Sequence, residues 1–143
     1  NLKVGNTDQL VSIIQVMDLA RGIMLAAEHP KSTDEIFFIA NEQPAAWSEV
    51  INILQKLMNK KVKNISIPYS VAYLFGGVME GIAYLQKKPT ILNRQKIREV
   101  NSPYWVVSTQ KIQEYLNYST QLTLEDGLSK TLTWYLEQGW LKN

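Results

Sequence analysis

Val11–Ala20 reads VSIIQVMDLA and Glu35–Asn41 reads EIFFIAN. In the first stretch an apolar segment of strand length, Leu10 to Val16, runs directly into Asp18-Leu19-Ala20. From there Leu19, Ala20, Ile23, Met24 and Ala27 recur at helical spacing, so Met17 to Glu28 is predicted to be a helix. Asp18 falls in its first turn, where a carboxylate suits the positive end of the helix dipole. Pro30 blocks continuation. In the second stretch Ile36 to Ala40 is an unbroken apolar run, the pattern of a strand covered on both faces in a parallel sheet. Strand, helix and strand in this order predict an α/β fold.

Working outward, Trp47, Val50, Ile51, Leu54, Leu57 and Met58 form an amphipathic stripe and predict a second helix. Val62 to Ile67 alternates apolar and polar residues and stops at Pro68, as a half-buried strand does. A long apolar helix is expected over Tyr69 to Lys87 and a short charged one over Asn93 to Val100. Trp105 to Val107 reads as a brief strand. Ser108 or Thr109 is placed to cap a helix running to Leu116, and Asn117 sits where a left-handed stop is wanted. Thr123-x-x-Asp126 resembles a capping box and opens a last helix bearing Leu124, Leu128, Leu132, Tyr135 and Leu136, which ends near Gly139. The whole is expected to be mostly helical with a few short strands, without repeats or a low-complexity linker.

Composition narrows the function classes. The 143 residues are 45% hydrophobic and 20% charged, the profile of one ordinary globular domain. Lys and Arg number 15 against 13 Asp and Glu, a net +2. Those cations are scattered and not interleaved with aromatics, so a nucleic-acid partner is not expected. With no cysteine, disulfides, thiolate catalysis and zinc–thiolate sites are excluded, and a reducing cytoplasmic setting is expected. His29 is the only histidine, too few for a metal site or a catalytic triad. It sits at a helix end, where a cation suits the dipole. The opening NLKVGNTDQL has neither a basic nor an apolar signal region. It lacks an initiating Met, as expected of an excised piece.

Three blocks together resemble the extended short-chain dehydrogenase/reductase family, the NAD-dependent epimerase/dehydratases. Val16-Met17-Asp18-Leu19-Ala20-Arg21-Gly22 is similar to the family's V-x-D-[LV]-A-x-[AG] segment, with Met17 where many relatives carry a second Asp. Phe37-Phe38-Ile39-Ala40-Asn41 followed by Trp47-Ser48-Glu49 is similar to its next strand and helix. Ala46 stands where a capping Ser or Thr is usual, which should cost that helix about 1 kcal/mol. Pro103 to Lys111, Leu116-Asn117-Tyr118, Leu124 to Leu128 and Thr133-Trp134-Tyr135 resemble the terminal S-x-x-K…L-G-Y…G-L…W-Y tail. Here Asn117 replaces the family glycine and Thr120 its proline. Tyr104 to Thr109 and the tail lean toward the 3β-hydroxysteroid dehydrogenase and dihydroflavonol reductase-like branch.

The resemblance implies that residues 1–143 are the C-terminal, substrate-binding domain of a Rossmann-type enzyme and include its last sheet strand, about 35–41. The N-terminal cofactor domain would be absent. The parent enzyme would use NAD or NADP, held by a glycine-rich turn at a helix N-terminus, and a Ser/Thr–Tyr-x-x-x-Lys group acting on a hydroxyl or carbonyl of a sterol-, flavonol- or sugar-like substrate. This piece would be inactive alone, with no catalytic, cofactor-binding or metal-binding residue of its own. No glycine-rich turn follows a strand here, since Gly76, Gly77 and Gly81 fall inside a predicted helix. Family position assigns substrate contacts to Tyr69, Tyr73, Leu92, Asn93, Arg94 and Tyr104: donors from Asn93, Arg94 and Tyr104, an apolar wall from Tyr69, Tyr73 and Leu92. Asn1 to Gln9 is expected to be a loop leading in from the missing half.

Two features invite other readings. Tyr84-x-x-x-Lys88 has the catalytic spacing but none of its context, so a packing aromatic and a solvated lysine are expected. Tyr69 to Leu85 carries only Glu80 as a charge, and seventeen residues are marginal for a membrane span. A buried or substrate-lining helix is expected, with a non-catalytic association or membrane-surface module as the alternative function. An uncovered edge at Ile36 to Ala40 is a template for pairing, so an isolated piece is expected to be a homo-oligomer, a symmetric dimer through this strand.

Overall fold

The computed structural model describes residues 2–141. The chain divides into two compact units, residues 1–9 with 61–104, and residues 10–60 with 105–143. The sequence, read as one domain, gave no sign of this split.

The larger unit opens with the two-residue strand β2 (Leu10–Val11), which pairs antiparallel with β3 (Ala45–Ala46). (Strand β1, Leu2–Val4, belongs to the smaller unit.) Beyond Val11 the ladder gives way to single bonds. Ser12 N–H donates to Trp105 O at 2.9 Å, and Asn41 N–H donates to Ile13 O at 2.9 Å. Helix α1 follows as Val16–Glu28, its N-terminal amides of Met17 and Asp18 bonded to the Gln15 side chain. Pro30 does block it: the chain turns into a short 3-10 segment, Pro30–Ser32. Helix α2 (Trp47–Met58) begins at Ala46 with no side-chain cap and ends at Asn59 in the left-handed region. Helix α5 (Gln110–Leu116) stops at Asn117, φ 51°. Thr123 caps α6 (Leu124–Glu137) by accepting from Asp126 N–H at 3.1 Å.

The core of this unit is Ile112, fully buried, with Leu116 and Tyr118. Leu25, Ala26, Phe37 and Ile39 pack on it. Gly22 permits the approach of α1, since a Cβ there would meet Ile39 Cγ2 at 3.0 Å and Tyr118 Cε2 at 3.1 Å. Asp18 does far more than complement a dipole. Its carboxylate, 3% exposed as a residue, accepts from the amides of Gln121 and Leu122 at 3.1–3.2 Å and from Arg21 Nη2 at 2.8 Å. Tyr118 OH donates back to Asp18 O at 2.7 Å, and Arg21 Nη2 also donates to Ser119 O at 2.7 Å. Burial raises the Tyr118 phenol above its ordinary pKa, opposed in part by the Arg21 guanidinium, whose carbon lies 5.5 Å from the ring centre. A buried carboxylate is tolerable because its lone pairs are filled in this way.

Glu35–Asn41 is not a strand in this structure, contrary to the sequence expectation of one at about 35–41. Its side chains do alternate. Phe37 and Ile39 face the core, while Ile36 and Phe38 are 78% and 58% exposed. A ladder needs a second strand beside it, and none lies there among the described residues.

In the smaller unit, β1 (Leu2–Val4) pairs parallel with β4 (Ile65–Ile67), in the register Leu2↔Ile65, Lys3↔Ser66, Val4↔Ile67. Residues 2–4 are therefore a strand where the sequence reading placed a loop. Their partner is some sixty positions away, which no local pattern reveals. Gly5 (φ +70°) turns the chain out, where a Cβ would lie 2.6 Å from Asn101 Oδ1. Helix α3 (Tyr69–Gln86) starts at Pro68 and ends at Lys87, φ 52°. Helix α4 (Arg94–Val100) is capped by Asn93, whose Oδ1 accepts from Lys96 N–H at 2.7 Å. Gln9 Nε2 closes its other end by donating to Val100 O and Ser102 O at 2.6 and 2.8 Å. Strand β5 (Tyr104–Trp105) lies at the boundary of the units.

Candidate functional site

All six residues expected to contact a substrate lie in the smaller unit. Four of them converge where α3 meets α4. The backbones approach there because Gly76 has no side chain, and a Cβ would meet Asn93 C at 3.0 Å. Tyr69 and Tyr73, one helical turn apart on α3, bring their rings to 5.7 Å between centroids. Asn93 is spent on capping α4. Arg94 heads that helix with its guanidinium carbon 6.0 Å from the centre of the Tyr73 ring. A groove of about 360 Å³ is lined by Tyr73, Leu74, Gly77, Val78 and Arg94.

Leu92 and Tyr104 stand apart from this groove. Leu92 is 37% exposed, with its carbonyl accepting from Thr90 Oγ1 at 3.3 Å, and Tyr104 is 63% exposed on β5. Of the six, Tyr73 and Arg94 line the groove, and Tyr69, Leu92, Asn93 and Tyr104 do not.

Two residues the sequence reading did not assign complete the electrostatics. Glu80, the only carboxylate on α3, accepts from Arg94 N–H at 2.9 Å and Arg94 Nε at 2.7 Å. Those bonds, the backbone one first, hold the Glu80 carboxyl below its ordinary pKa, and Glu80 raises that of Arg94. Arg98 Nη2 donates to Tyr73 OH at 2.9 Å, with its guanidinium carbon 5.5 Å from the same ring. The signals were present in the sequence: one acid in an apolar helix, and two arginines at i and i+4 on one helix face.

Tyr84 and Lys88 do not share a helical turn. Tyr84 is 86% exposed, and the helix has already ended when the chain reaches Lys88. The glycines do not fit a dinucleotide cradle either. Such a cradle stands between a strand and the N-terminus of a helix, whereas Gly22, Gly76, Gly77, Gly81 and Gly127 lie inside helices, Gly139 follows α6, and Gly5 precedes no helix. Among the described residues no cluster of three or more metal-ligating side chains occurs, and no helix is long and apolar enough to cross a membrane.

Comparison with known proteins places this architecture. No protein-family profile matches the chain. It is 27% identical over 136 residues to the 2-alkyl-3-oxoalkanoate reductase of Shewanella oneidensis, covering 89% of this chain and 34% of the reductase. It is 25% identical over 95 residues to the ceramide reductase of Caulobacter vibrioides, 66% of this chain and 29% of that protein. The chain thus spans about a third of the length of the curated relatives it matches. Among solved structures, gox2253 superposes with a TM-score of 0.73 at 18% identity, covering 99% of this chain and 41% of the other. A UDP-glucuronic acid 4-epimerase from Bacillus cereus in complex with NAD gives 0.64 at 18%, covering 98% and 35%. A short-chain dehydrogenase/reductase superfamily protein from Agrobacterium tumefaciens with bound NAD gives 0.60 at 16%, covering 96% and 35%. The chain has the fold of the C-terminal part of an extended short-chain dehydrogenase/reductase of the epimerase/dehydratase type.

Proposed function

We propose that residues 1–143 are the substrate-side domain of a longer NAD(P)-dependent oxidoreductase or epimerase, acting on a hydroxyl or carbonyl carbon of a small molecule. The observation that carries this reading is coverage. Nearly the whole chain superposes on about a third of NAD-bound enzymes. Hydride chemistry is supplied by the nicotinamide when it is bound, and on this reading its cradle and the acid–base residues are held by the other part of the polypeptide. The work of the present residues is binding and orientation, with Tyr73 and Arg94 lining the α3–α4 groove, Tyr69 and Arg98 in contact with Tyr73, Asn93 capping α4, and Leu92 and Tyr104 further along the chain than α3. The two curated reductases favour a carbonyl reduced to an alcohol over an epimerisation.

The same reading accounts for a large apolar surface on the larger unit. Val16, Met17, Ile23 and Met24 on α1 are 55–69% exposed, and Ile36 and Phe38 join them in the unpaired Glu35–Asn41 segment. Exposure on this scale marks a surface with a partner. We assign that partner to the cofactor domain, with Ile36–Ala40 adding to its sheet edge. Where these residues stand alone, a second copy takes its place and the chain dimerises. The test is an assay of the protein as its gene encodes it, following NAD(P)H oxidation with a 2-alkyl-3-oxoalkanoate, and formation of the 4-epimer from UDP-glucuronic acid in the presence of NAD+. Cofactor-dependent turnover of a carbonyl or sugar substrate is expected. A protein that neither binds nor oxidises NADH and NADPH would overturn the reading.

A further inference from the structure

The guanidinium carbons of Arg94 and Arg98 lie 6.0 and 5.5 Å from the centre of the Tyr73 ring. Glu80 is paired with Arg94, so the cluster of two cations and one carboxylate keeps one unbalanced positive charge. Lys96, the next cation on α4, is already paired with Glu99 at 3.0 Å. The excess extends to the whole unit: its segments hold eight Lys and Arg against three Asp and Glu, a net +5, while the larger unit holds seven against ten, a net −3.

The groove at this cluster continues into an apolar stripe. Leu74 and Val78 line it, and Ile82 and Leu85 follow on the same face of α3, all 40–81% exposed. From Leu74 to Leu85 the helix rises about 16 Å. A neutral sugar would leave this stripe in water, and a dianionic phosphate would meet a single surplus charge. An alkyl chain ending in a carboxylate satisfies both ends.

We propose that the α3–α4 groove binds an alkyl carboxylate, its head group between Arg94 and Arg98 beside Tyr73 and its chain along Leu74, Val78, Ile82 and Leu85. This deepens the functional reading above, on which it rests, by naming a substrate class for the same site. The guanidinium fork supplies charge-assisted hydrogen bonds to the carboxylate. The stripe supplies affinity that grows with chain length, about fourfold per methylene buried.

The experiment is calorimetric titration of dodecanoate, octanoate and dodecan-1-ol, all below their aggregation thresholds, into the protein as its gene encodes it, with NADH and NADPH titrated into the same preparation. Saturable binding of dodecanoate is expected, at least tenfold tighter than octanoate and about tenfold tighter than dodecan-1-ol. Arg98→Gln is expected to remove the advantage over the alcohol and leave alcohol binding as it was. Val78→Asp is expected to weaken dodecanoate and the alcohol together. Equal affinity for acid and alcohol, or a dodecanoate affinity untouched by Arg98→Gln, would overturn the proposal. So would a stripe that only self-associates, seen as a dimer broken by Val78→Asp without dodecanoate binding, or that only takes up lipid vesicles. Binding of NADH or NADPH without dodecanoate binding would sink this inference and leave the functional reading standing. Dodecanoate binding without binding of either nucleotide would do the reverse.

Discussion

The two units bury different things. The larger one closes around Ile112, Leu116 and Tyr118 and fastens α1 to the segment after α5 through the carboxylate of Asp18. The smaller one buries mainly small residues, Ala72 and Gly76 on α3, with Ile97 from α4, and leaves its large apolar side chains facing out along α3. The larger unit also exposes apolar side chains, on α1 and in the Glu35–Asn41 segment, but it has a buried core beneath them. In the smaller unit the exposed stripe lies next to a cluster of Arg and Tyr, where a ligand can use it. All four tryptophans, Trp47, Trp105, Trp134 and Trp140, belong to the larger unit. Tryptophan fluorescence therefore reports on that unit alone.

Breaking the larger unit's core should have the greatest effect. Ile112→Ala removes a fully buried side chain and is expected to cost about 3 kcal/mol, read as a lower urea midpoint by tryptophan fluorescence. An unshifted midpoint would mean the core is not where stability resides. Asp18→Asn comes next. It puts a neutral amide against Arg21 and the amides of Gln121 and Leu122, at an expected cost of about 2 kcal/mol. The same unfolding curve measures it, and a loss under about 0.5 kcal/mol would reduce the clamp to an ordinary helix-end charge.

A gain is expected at the uncapped start of α2. Ala46→Ser offers the oxygen that Ala46 lacks and should stabilise the larger unit by about 1 kcal/mol. The smallest effect sharpens the comparison from the other side. The Glu80 carboxyl titrates below its ordinary value in the folded state, so its contribution is full above the unfolded value and fades as pH falls through the folded one. The protection of the Arg94 amide against hydrogen exchange, relative to its intrinsic rate at each pH, should therefore fall in the acid range below the usual carboxylate pKa. Glu80→Gln should remove that pH dependence while leaving tryptophan-detected unfolding unchanged. A pH dependence that survives in Glu80→Gln would assign it to another group.

These contrasts also explain what could be read from the sequence. Helices α1, α2, α3 and α6 were legible almost to the residue because their signals are local: an apolar period, Pro30 as a stop, Thr123 as a cap, Asn117 as a left-handed turn. Strand β1 and the unpaired state of Glu35–Asn41 were not, since pairing depends on residues sixty positions distant or outside these 143. The VMDLA stretch pointed to the fold through resemblance. Its physical role, a buried carboxylate bonded to amides a hundred residues later, follows only from tertiary structure. For the candidate site, family position pointed to Tyr69, Tyr73, Leu92, Asn93, Arg94 and Tyr104, of which the structure gathers Tyr69, Tyr73, Asn93 and Arg94 where α3 meets α4. Glu80 and Arg98 emerged once α3 and α4 were seen side by side.

The most direct test of the division of labour proposed here is a titration of NADH and of NADPH, each followed by its fluorescence, into the protein as its gene encodes it and into residues 1–143 alone. The account predicts saturable binding of one or both by the first and of neither by the second. Binding by residues 1–143 alone, or binding of neither nucleotide by the gene product, would contradict it.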